Sequence, residues 1–180
     1  MGAERNRFVP HYKIEQYIIK SGIDYTFLRA SFFMQNLNTT HCQDIKENNE
    51  IFLPAGKGKT SFIDVRDIAE VGAIALAEQC HKNKAYSLTG KESVDYYQVS
   101  EVFSRVLDRE IEYINPSILN FYSRLRKRGM DRAYILIMIA LYTTAKLGLA
   151  KKTTKDLEIL LGREPKSIEQ YVSDYKDYWI

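Results

Sequence analysis

Apolar residues recur at helical and then at strand spacing near the start of the chain. Residues 11–20 are typical of an amphipathic helix, which the pair Ser21-Gly22 ends. We expect the apolar face of this helix at His11, Ile14, Tyr17 and Ile18. Residues 23–29 are short, β-branched and aromatic, which predicts a buried, central parallel strand.

Helical and strand patterns alternate along the next hundred residues. We predict a helix over 32–45, two short strands around the glycine turn at 56–58, a helix from Asp67 to about residue 79, a strand over 84–90, a helix over 94–107 and an edge strand ended by Pro116. Asp67 with Glu70, and Asp95 with Gln98, have the spacing of capping boxes. Four helices follow, over 117–127, 131–147, 155–161 and 168–179. The alternation predicts an α/β fold with a mostly parallel sheet and a helical last third.

Composition narrows the class of protein. The 180 residues are 45% hydrophobic and 27% charged, which is typical of a globular domain. The net charge of +3 gives no reason to expect a nucleic-acid partner. We interpret the basic run from Arg124 to Arg128 as a solvated face.

Cysteine usage and the chain start indicate a cytoplasmic protein. Cys42 and Cys80 form no CxxC pair, and the three histidines are scattered, so we expect no metal site. His41 and His81 lie in polar stretches that we expect to be exposed. The charged N-terminus lacks the apolar region of a signal peptide.

The most hydrophobic window covers residues 133–150, and its uninterrupted apolar part ends near Tyr142. A spanning helix needs about 20 mostly apolar residues. We therefore interpret this window as a helix that is buried in the fold or lines an apolar pocket. We expect no membrane partner, and membrane insertion is the alternative.

No phosphate-binding glycine loop is recognisable. The nine glycines form no G-x-G-x-x-G, because Ser61 stands where Gly56-Lys57-Gly58 would need its third glycine. Gly58-Lys59-Thr60 ends like a P-loop, but Leu53 occupies the place of the leading glycine.

Four blocks in order resemble the NmrA-like family of atypical short-chain dehydrogenase/reductase proteins. They are HYKIEQYIIKSGIDYTFLRASFFMQN, FIDVRDIAEVGAIAL, AYSLTGKESVDYYQVSEVFSRVLDREIEYI and TTKDLEILLGREPKSIEQYVSDY. The resemblance implies α/β architecture, namely the C-terminal part of a Rossmann-like, doubly wound parallel sheet with a helical substrate-side subdomain. We expect residues 1–180 to be one region, with an α/β part at 1–115 and a helical part at 116–180, and the N-terminal dinucleotide-binding half to be absent.

The resemblance also implies where ligands bind. It places His11 and Arg7 where related reductases have a lysine and a catalytic tyrosine, so the catalytic residue is unknown. Cofactor-binding positions, on the nicotinamide side, are His11, Ala30, Ser31, Phe32 and Phe33, and substrate-binding positions are Gln35 and Asn36. The alternative for His11 is that it is a residue at the helix N-terminus whose side chain forms hydrogen bonds with the backbone.

The residues around this loop have structural explanations too. The alternative to ligand contact is that Phe32, Phe33 and Met34 belong to the core, and we prefer this interpretation for Met34. We interpret Asp67 as a helix cap, and Asp64 and Arg66 as loop groups or contacts at the edge of the substrate. The family usually has a proline where this chain has Ala30.

The implied cofactor is NADP or NAD, and we expect this chain alone to bind it weakly or not at all. The implied activity is NAD(P)H-dependent reduction of a quinone-like or small carbonyl acceptor, impaired in a chain without the N-terminal half. A non-enzymatic redox sensor or partner-binding protein of the same family is the alternative. An open sheet edge would favour a homo-oligomer or another association that covers it.

Overall fold

The computed structural model describes residues 10–180. Its helices are α1 (Pro10–Ser21), α2 (Cys42–Asn48), α3 (Val65–Ala77), α4 (Tyr96–Leu107), α5 (Ile118–Lys127), α6 (Arg132–Lys146), α7 (Asp156–Leu161) and α8 (Ile168–Asp174). Its strands are β1 (Thr26–Ala30), β2 (Phe32–Phe33), β3 (Glu50–Phe52), β4 (Phe62–Ile63), β5 (Lys84–Leu88) and β6 (Glu112–Ile114).

All three strand pairs are parallel. They are β1 with β5, β2 with β4, and β3 with β6. Parallel partners require crossover connections, and here helices supply them between strands that are distant in sequence. The predicted α/β class with a parallel sheet is confirmed.

Two separate apolar cores hold these elements. The larger core joins α4, α5, α6 and α8 to β3, β4 and β6, and its largest fully buried side chains include Trp179, Tyr171, Phe103 and Phe121. The smaller core has four buried members beneath β1 and β5, namely Ile63, Val71, Leu88 and Leu157.

Several helix ends follow the sequence closely. Asp95 and Gln98 form the predicted capping box of α4. Ser117 and Ser167 cap α5 and α8, and Gly162 ends α7 with a φ of 64°. These signals are local, so they can be identified without tertiary information.

The predicted helix over 32–45 is wrong in its first half. Phe32 and Phe33 pair with β4, a 3-10 turn spans Met34–Asn36, and α2 begins only at Cys42. Strand pairing with a distant segment overrides the local helical pattern. The last predicted helix is shorter than expected too, because α8 ends at Asp174 and a 3-10 turn, Lys176–Tyr178, follows.

The predicted apolar face of α1 is largely exposed. The exposed fractions are 52% for Ile14 and 73% for Tyr17, whereas Glu15 is only 7% exposed. All five residues of β1 are half-buried, so the expected burial of this strand is wrong. Among the described residues β1 has a strand on one side only.

The basic run on α5 is only partly a solvated face. Arg124 and Arg128 donate to the buried carboxylate of Asp44, with N–O distances of 3.1 and 2.6 Å. Arg124 also pairs with Glu50. These contacts join α5 to α2 and β3, because Asp44, at 1% exposure, needs charged partners.

Candidate functional site

The candidate site lies at the carboxyl end of β1, where ligands of open α/β sheets bind. The backbone N–H of Ser31 donates to the carbonyl of Leu88 at the end of β5 (2.9 Å). The Ser31 hydroxyl lies 2.8 Å from the Ser61 hydroxyl, and Ser61 donates to the carbonyl of Ala150 (3.4 Å). Three segments therefore fix the position of Ser31. Ser61 was not singled out from the sequence, since no motif marks it.

The aromatic pair after Ser31 is divided between core and solvent. Phe32 is half-buried and packs against the larger core, while Phe33 is 41% exposed. Met34 is 2% exposed and belongs to the core, as the structural alternative predicted. Phe33 is thus the aromatic side chain available to a ligand here.

The two predicted substrate contacts differ in their availability. The amide group of Gln35 donates to Asp64 Oδ1 (2.9 Å), and its oxygen accepts from the N–H of Val65 (3.1 Å). Gln35 is therefore committed to joining this loop to α3. The side chain of Asn36 is half-buried and has no hydrogen-bond partner among the described residues, so it keeps both donor and acceptor capacity.

Asp64, not Asp67, caps α3. The Asp64 carboxylate is fully buried and accepts from the N–H of Arg66 (2.9 Å) and from the Arg66 guanidinium (2.7 Å). Burial would raise the pKa of Asp64, but the hydrogen bonds from Arg66 and Gln35 lower it below its ordinary value. Asp64 is thus a structural anion. The sequence did carry a signal for this cap, because Asp64 precedes the acidic residue Asp67 by three positions, which is the spacing of an N-cap and an N3 residue.

The predicted cap role of Asp67 is wrong for a physical reason. Its backbone already lies in the first turn of α3, and its buried carboxylate accepts from Arg163 (2.8 Å) and from the N–H of Lys166 (2.8 Å). These contacts fasten α3 to the segment after α7.

His11 is exposed near the start of α1, and Arg7 lies outside the described residues. One turn further along α1, Glu15 forms a bidentate ion pair with Arg29 of β1 (2.9 and 2.7 Å). Residues four apart share a helix face, so His11 lies on the side of α1 that Glu15 joins to β1. Glu15 was missed because its charge suggested the solvent face.

The other two histidines are buried, which corrects the prediction that they are exposed. His41 is 1% exposed, and its Nε2 lies 2.5 Å from the Tyr142 hydroxyl. Burial lowers the pKa of His41 to about 4. His81 is 7% exposed, and its Nδ1 lies 2.8 Å from the Tyr86 hydroxyl. Glu78, Cys80 and His81 bring potential metal ligands within 4.8 Å of one another, so the absence of a metal site stays a prediction.

The glycine turn at 56–58 packs against α6. A Cβ added at Gly58 would lie 2.1 Å from the carbonyl oxygen of Ala145. The turn therefore has glycine because α6 approaches closely, and its backbone does not form an open phosphate cradle. The turn at 56–58 therefore does not fit a pyrophosphate, and contact of Ser31 and Phe33 with a nicotinamide stays a prediction.

The sequence profile of the NmrA-like family matches residues 3–173. The chain belongs to the NmrA-like family. Its resemblance to that family, predicted from four blocks, is thereby confirmed.

Comparison with individual relatives adds detail. The chain is 33% identical over 162 residues to agroclavine dehydrogenase of Claviceps fusiformis, which covers 88% of this chain and 56% of the relative. Triphenylmethane reductase of Citrobacter sp., solved with NADP(H), superposes with a TM-score of 0.84 at 23% identity, over 96% of this chain and 61% of that one. NADPH-dependent quinone oxidoreductase QOR2 of Escherichia coli, solved with NADPH, gives a TM-score of 0.83 at 24% identity, over 91% and 58%. The chain thus spans little more than half the length of these NmrA-like proteins.

Proposed function

We propose that this chain forms the substrate-side portion of an NAD(P)H-dependent oxidoreductase that reduces a quinone-like or small carbonyl acceptor. The observation that carries the proposal is the carboxyl end of β1, which is followed by Ser31, fixed by Ser61 and Leu88, and by the exposed Phe33. The NADP(H)-bound reductases of the same fold support the choice of cofactor. A bound NAD(P)H supplies the hydride.

In this proposal the residues of the chain position the ligands. Ser31 presents a fixed hydroxyl, and Asn36 presents an unpaired amide. Phe33 presents its ring to the face of the bound ligand at which the hydride is transferred. A quinone fits such a site, because it takes a hydride and can draw its proton from water without a protein acid.

Two tyrosines of the larger core are poor proton donors. Tyr96 and Tyr142 are buried, and burial raises the pKa of both phenols. This favours an acceptor that needs no tyrosine acid over a simple ketone, which would need one.

A fusion tests the proposal. The part of the Claviceps fusiformis relative that this chain does not cover is joined to the chain, and NADPH consumption with benzoquinone is followed by absorbance. We expect turnover by the fusion and no micromolar binding of NADPH to the isolated chain. Because one hydrogen bond contributes about 1 kcal/mol, Ser31→Ala should reduce kcat/KM by roughly fivefold to tenfold.

The matched control is Ser173→Ala, which makes the same change at an exposed position of α8 and should leave kcat/KM unchanged. A fusion that binds NADPH tightly but transfers no hydride to any quinone or carbonyl would favour the alternative, a redox sensor. Micromolar NADPH binding by the isolated chain would refute the proposal that this chain supplies only the substrate side of the site.

A further inference from the structure

Helix α6 has an apolar face that no described element covers. Its inner side is buried through Ile135, Met138, Tyr142 and Ala145. The opposite side, which we call the α6 outward face, consists of Ala133, Leu136, Ile137, Ala140, Leu141 and Leu147.

The exposed residues recur at helical spacing along one side of α6 and end at its C-cap residue, Leu147. The exposed fractions are 58% for Leu136, 57% for Ile137 and 68% for Leu147. At 1.5 Å per residue the 15-residue helix is about 22 Å long. Exposed apolar side chains that are aligned in this way usually mark an interaction site.

Positive charge is concentrated around this helix. Residues 124–155 contain nine basic residues and one acidic residue, Asp131, for a net charge of +8. The rest of the chain contains 17 basic and 22 acidic residues, for a net charge of −5. Two of the nine, Arg124 and Arg128, are paired with Asp44 and Glu50, so seven cations remain in this segment with Asp131 as its one acidic residue.

Five of these cations are exposed, form no ion pair within residues 10–180 and come before or after the apolar stripe in sequence. They are the first residue of α6 and four lysines that flank the helix along the chain. We call them the basic rim: Lys127, Arg132, Lys151, Lys152 and Lys155. Lys146 is exposed too, but its side chain lies over Gly56, on the inner side of α6. Between Arg132 and Lys146 the helix carries no charged residue. An apolar stripe with cations at both ends is complementary to an anionic layer over an apolar interior.

Two other occupants explain these features less well. A second copy of the chain would place the unpaired cations of two such segments against each other, and like charges in an interface are unfavourable. A small ligand would need a concavity to enclose it. The α6 outward face is a convex helix surface.

We propose that the α6 outward face and the basic rim bind the surface of an anionic phospholipid membrane. The helix lies in the membrane interface, with Leu136 and Ile137 among the acyl chains and the lysines at the phosphates. This binding differs from insertion, since none of the described helices has the length and apolarity to cross a membrane. It departs from the expectation that no membrane takes part, which rested on the lack of a spanning segment.

Vesicle sedimentation of the 180-residue chain tests the proposal. The probes are vesicles of phosphatidylcholine alone and of an equal mixture with phosphatidylglycerol. We expect the chain to sediment with the mixed vesicles, to be released by added salt, and to remain in solution with phosphatidylcholine. Sedimentation with neither kind of vesicle overturns the proposal.

Two variants separate the apolar and the ionic contributions. Leu136→Glu should reduce partitioning by at least about tenfold, because it removes apolar area that enters the membrane on binding and adds a negative charge. Lys151→Glu with Lys152→Glu, outside any helix, should reduce it by at least about tenfold too. The matched control is Leu76→Glu on α3, where the leucine is 89% exposed, and it should sediment like the original chain.

Light scattering of the same proteins tests whether a second copy of the chain binds to the α6 outward face. A dimer that Leu136→Glu converts to a monomer, together with no vesicle binding, overturns the proposal and assigns the face to a second copy. Equal loss of sedimentation in Leu76→Glu also overturns it, because the effect would then be nonspecific.

Discussion

The two cores differ in size and in what surrounds them. The larger core unites β3, β4 and β6 with four helices and contains the four largest fully buried side chains, Trp179, Tyr171, Phe103 and Phe121. The smaller core has four buried aliphatic residues under β1 and β5, and β1 itself is half-buried throughout. The β1 side, which carries the candidate site, is thus supported by fewer contacts. Regions of this kind open locally at lower free energy than a dense core does.

Trp179→Ala should give the largest loss of stability. The indole ring lies 4.9 Å from the Phe103 ring and donates from Nε1 to the carbonyl of Val172 (3.3 Å). Its removal leaves a large cavity and should cost about 3 to 5 kcal/mol in the free energy of unfolding. Urea denaturation measures this value.

Leu157→Ala in the smaller core is the counterpart of that substitution. Leu157 is fully buried as well, but its cluster is smaller and can relax around the cavity, so we expect a loss of about 2 kcal/mol. If Leu157→Ala costs as much as Trp179→Ala, the two cores do not differ in the way that their composition indicates.

Acid should weaken the larger core through His41. Burial lowers its pKa from 6.5 to about 4, despite the nearby carboxylate of Asp44, and Arg128 adds to the lowering. Between these pH values the unfolded chain binds a proton that the folded chain does not bind. Stability should therefore fall by about 3 kcal/mol as the pH decreases from 6.5 to 4.

His41→Gln is the control for this pH dependence, because glutamine can still bond to the Tyr142 hydroxyl but does not titrate. Urea midpoints measured across the same pH range should be flatter in the variant. A slope equal to that of the original chain would show that other groups, such as the carboxylates, cause the acid sensitivity.

Gly90→Ala should disturb the junction of the two cores. A Cβ at this position would lie 2.1 Å from the backbone oxygen of Phe62, a contact that only movement of the strand ends can relieve. We expect a loss of about 1 to 3 kcal/mol. Thermal unfolding measures it, and an unchanged midpoint would contradict the close approach.

Gly72→Ala makes the same chemical change and should give the smallest effect, with the opposite sign. Gly72 lies within α3, and an added Cβ would meet only Leu28 at an ordinary 3.9 Å. Alanine favours the helix, so stability should increase by about 0.5 to 1 kcal/mol. A decrease would indicate that β1 packs more tightly on α3 than its half-burial suggests.

Features set by neighbours in sequence were predicted in part. The Asp95–Gln98 box is confirmed because it depends only on residues within one turn of the helix, whereas the predicted Asp67 cap is wrong because Asp64 begins α3. Features set by distant segments were not. The helix predicted over 32–45 gives way to β2 because β4 pairs with Phe32 and Phe33.

The same distinction applies to the candidate site. The resemblance to NmrA-like proteins identified Ser31, Phe33 and Asn36 as site positions, and their roles there stay predictions. It gave no sign that Gln35 is bound to Asp64, or that Glu15 is buried against Arg29. Buried polar groups find partners across the fold, and a single sequence does not show which partners those are.

The hydroxyl pair at the end of β1 leaves Ser31 with capacity to spare. The two serine oxygens are 2.8 Å apart, and either serine can donate to the other. The carbonyl of Ala150 already accepts the backbone N–H of Ser61 at 3.0 Å, so the longer contact with the Ser61 hydroxyl, at 3.4 Å, does not fix that proton. Because a hydroxyl has one donor and two acceptor lone pairs, Ser31 can accept from an amide N–H or, with Ser61 donating to it, donate to a carbonyl oxygen of a ligand.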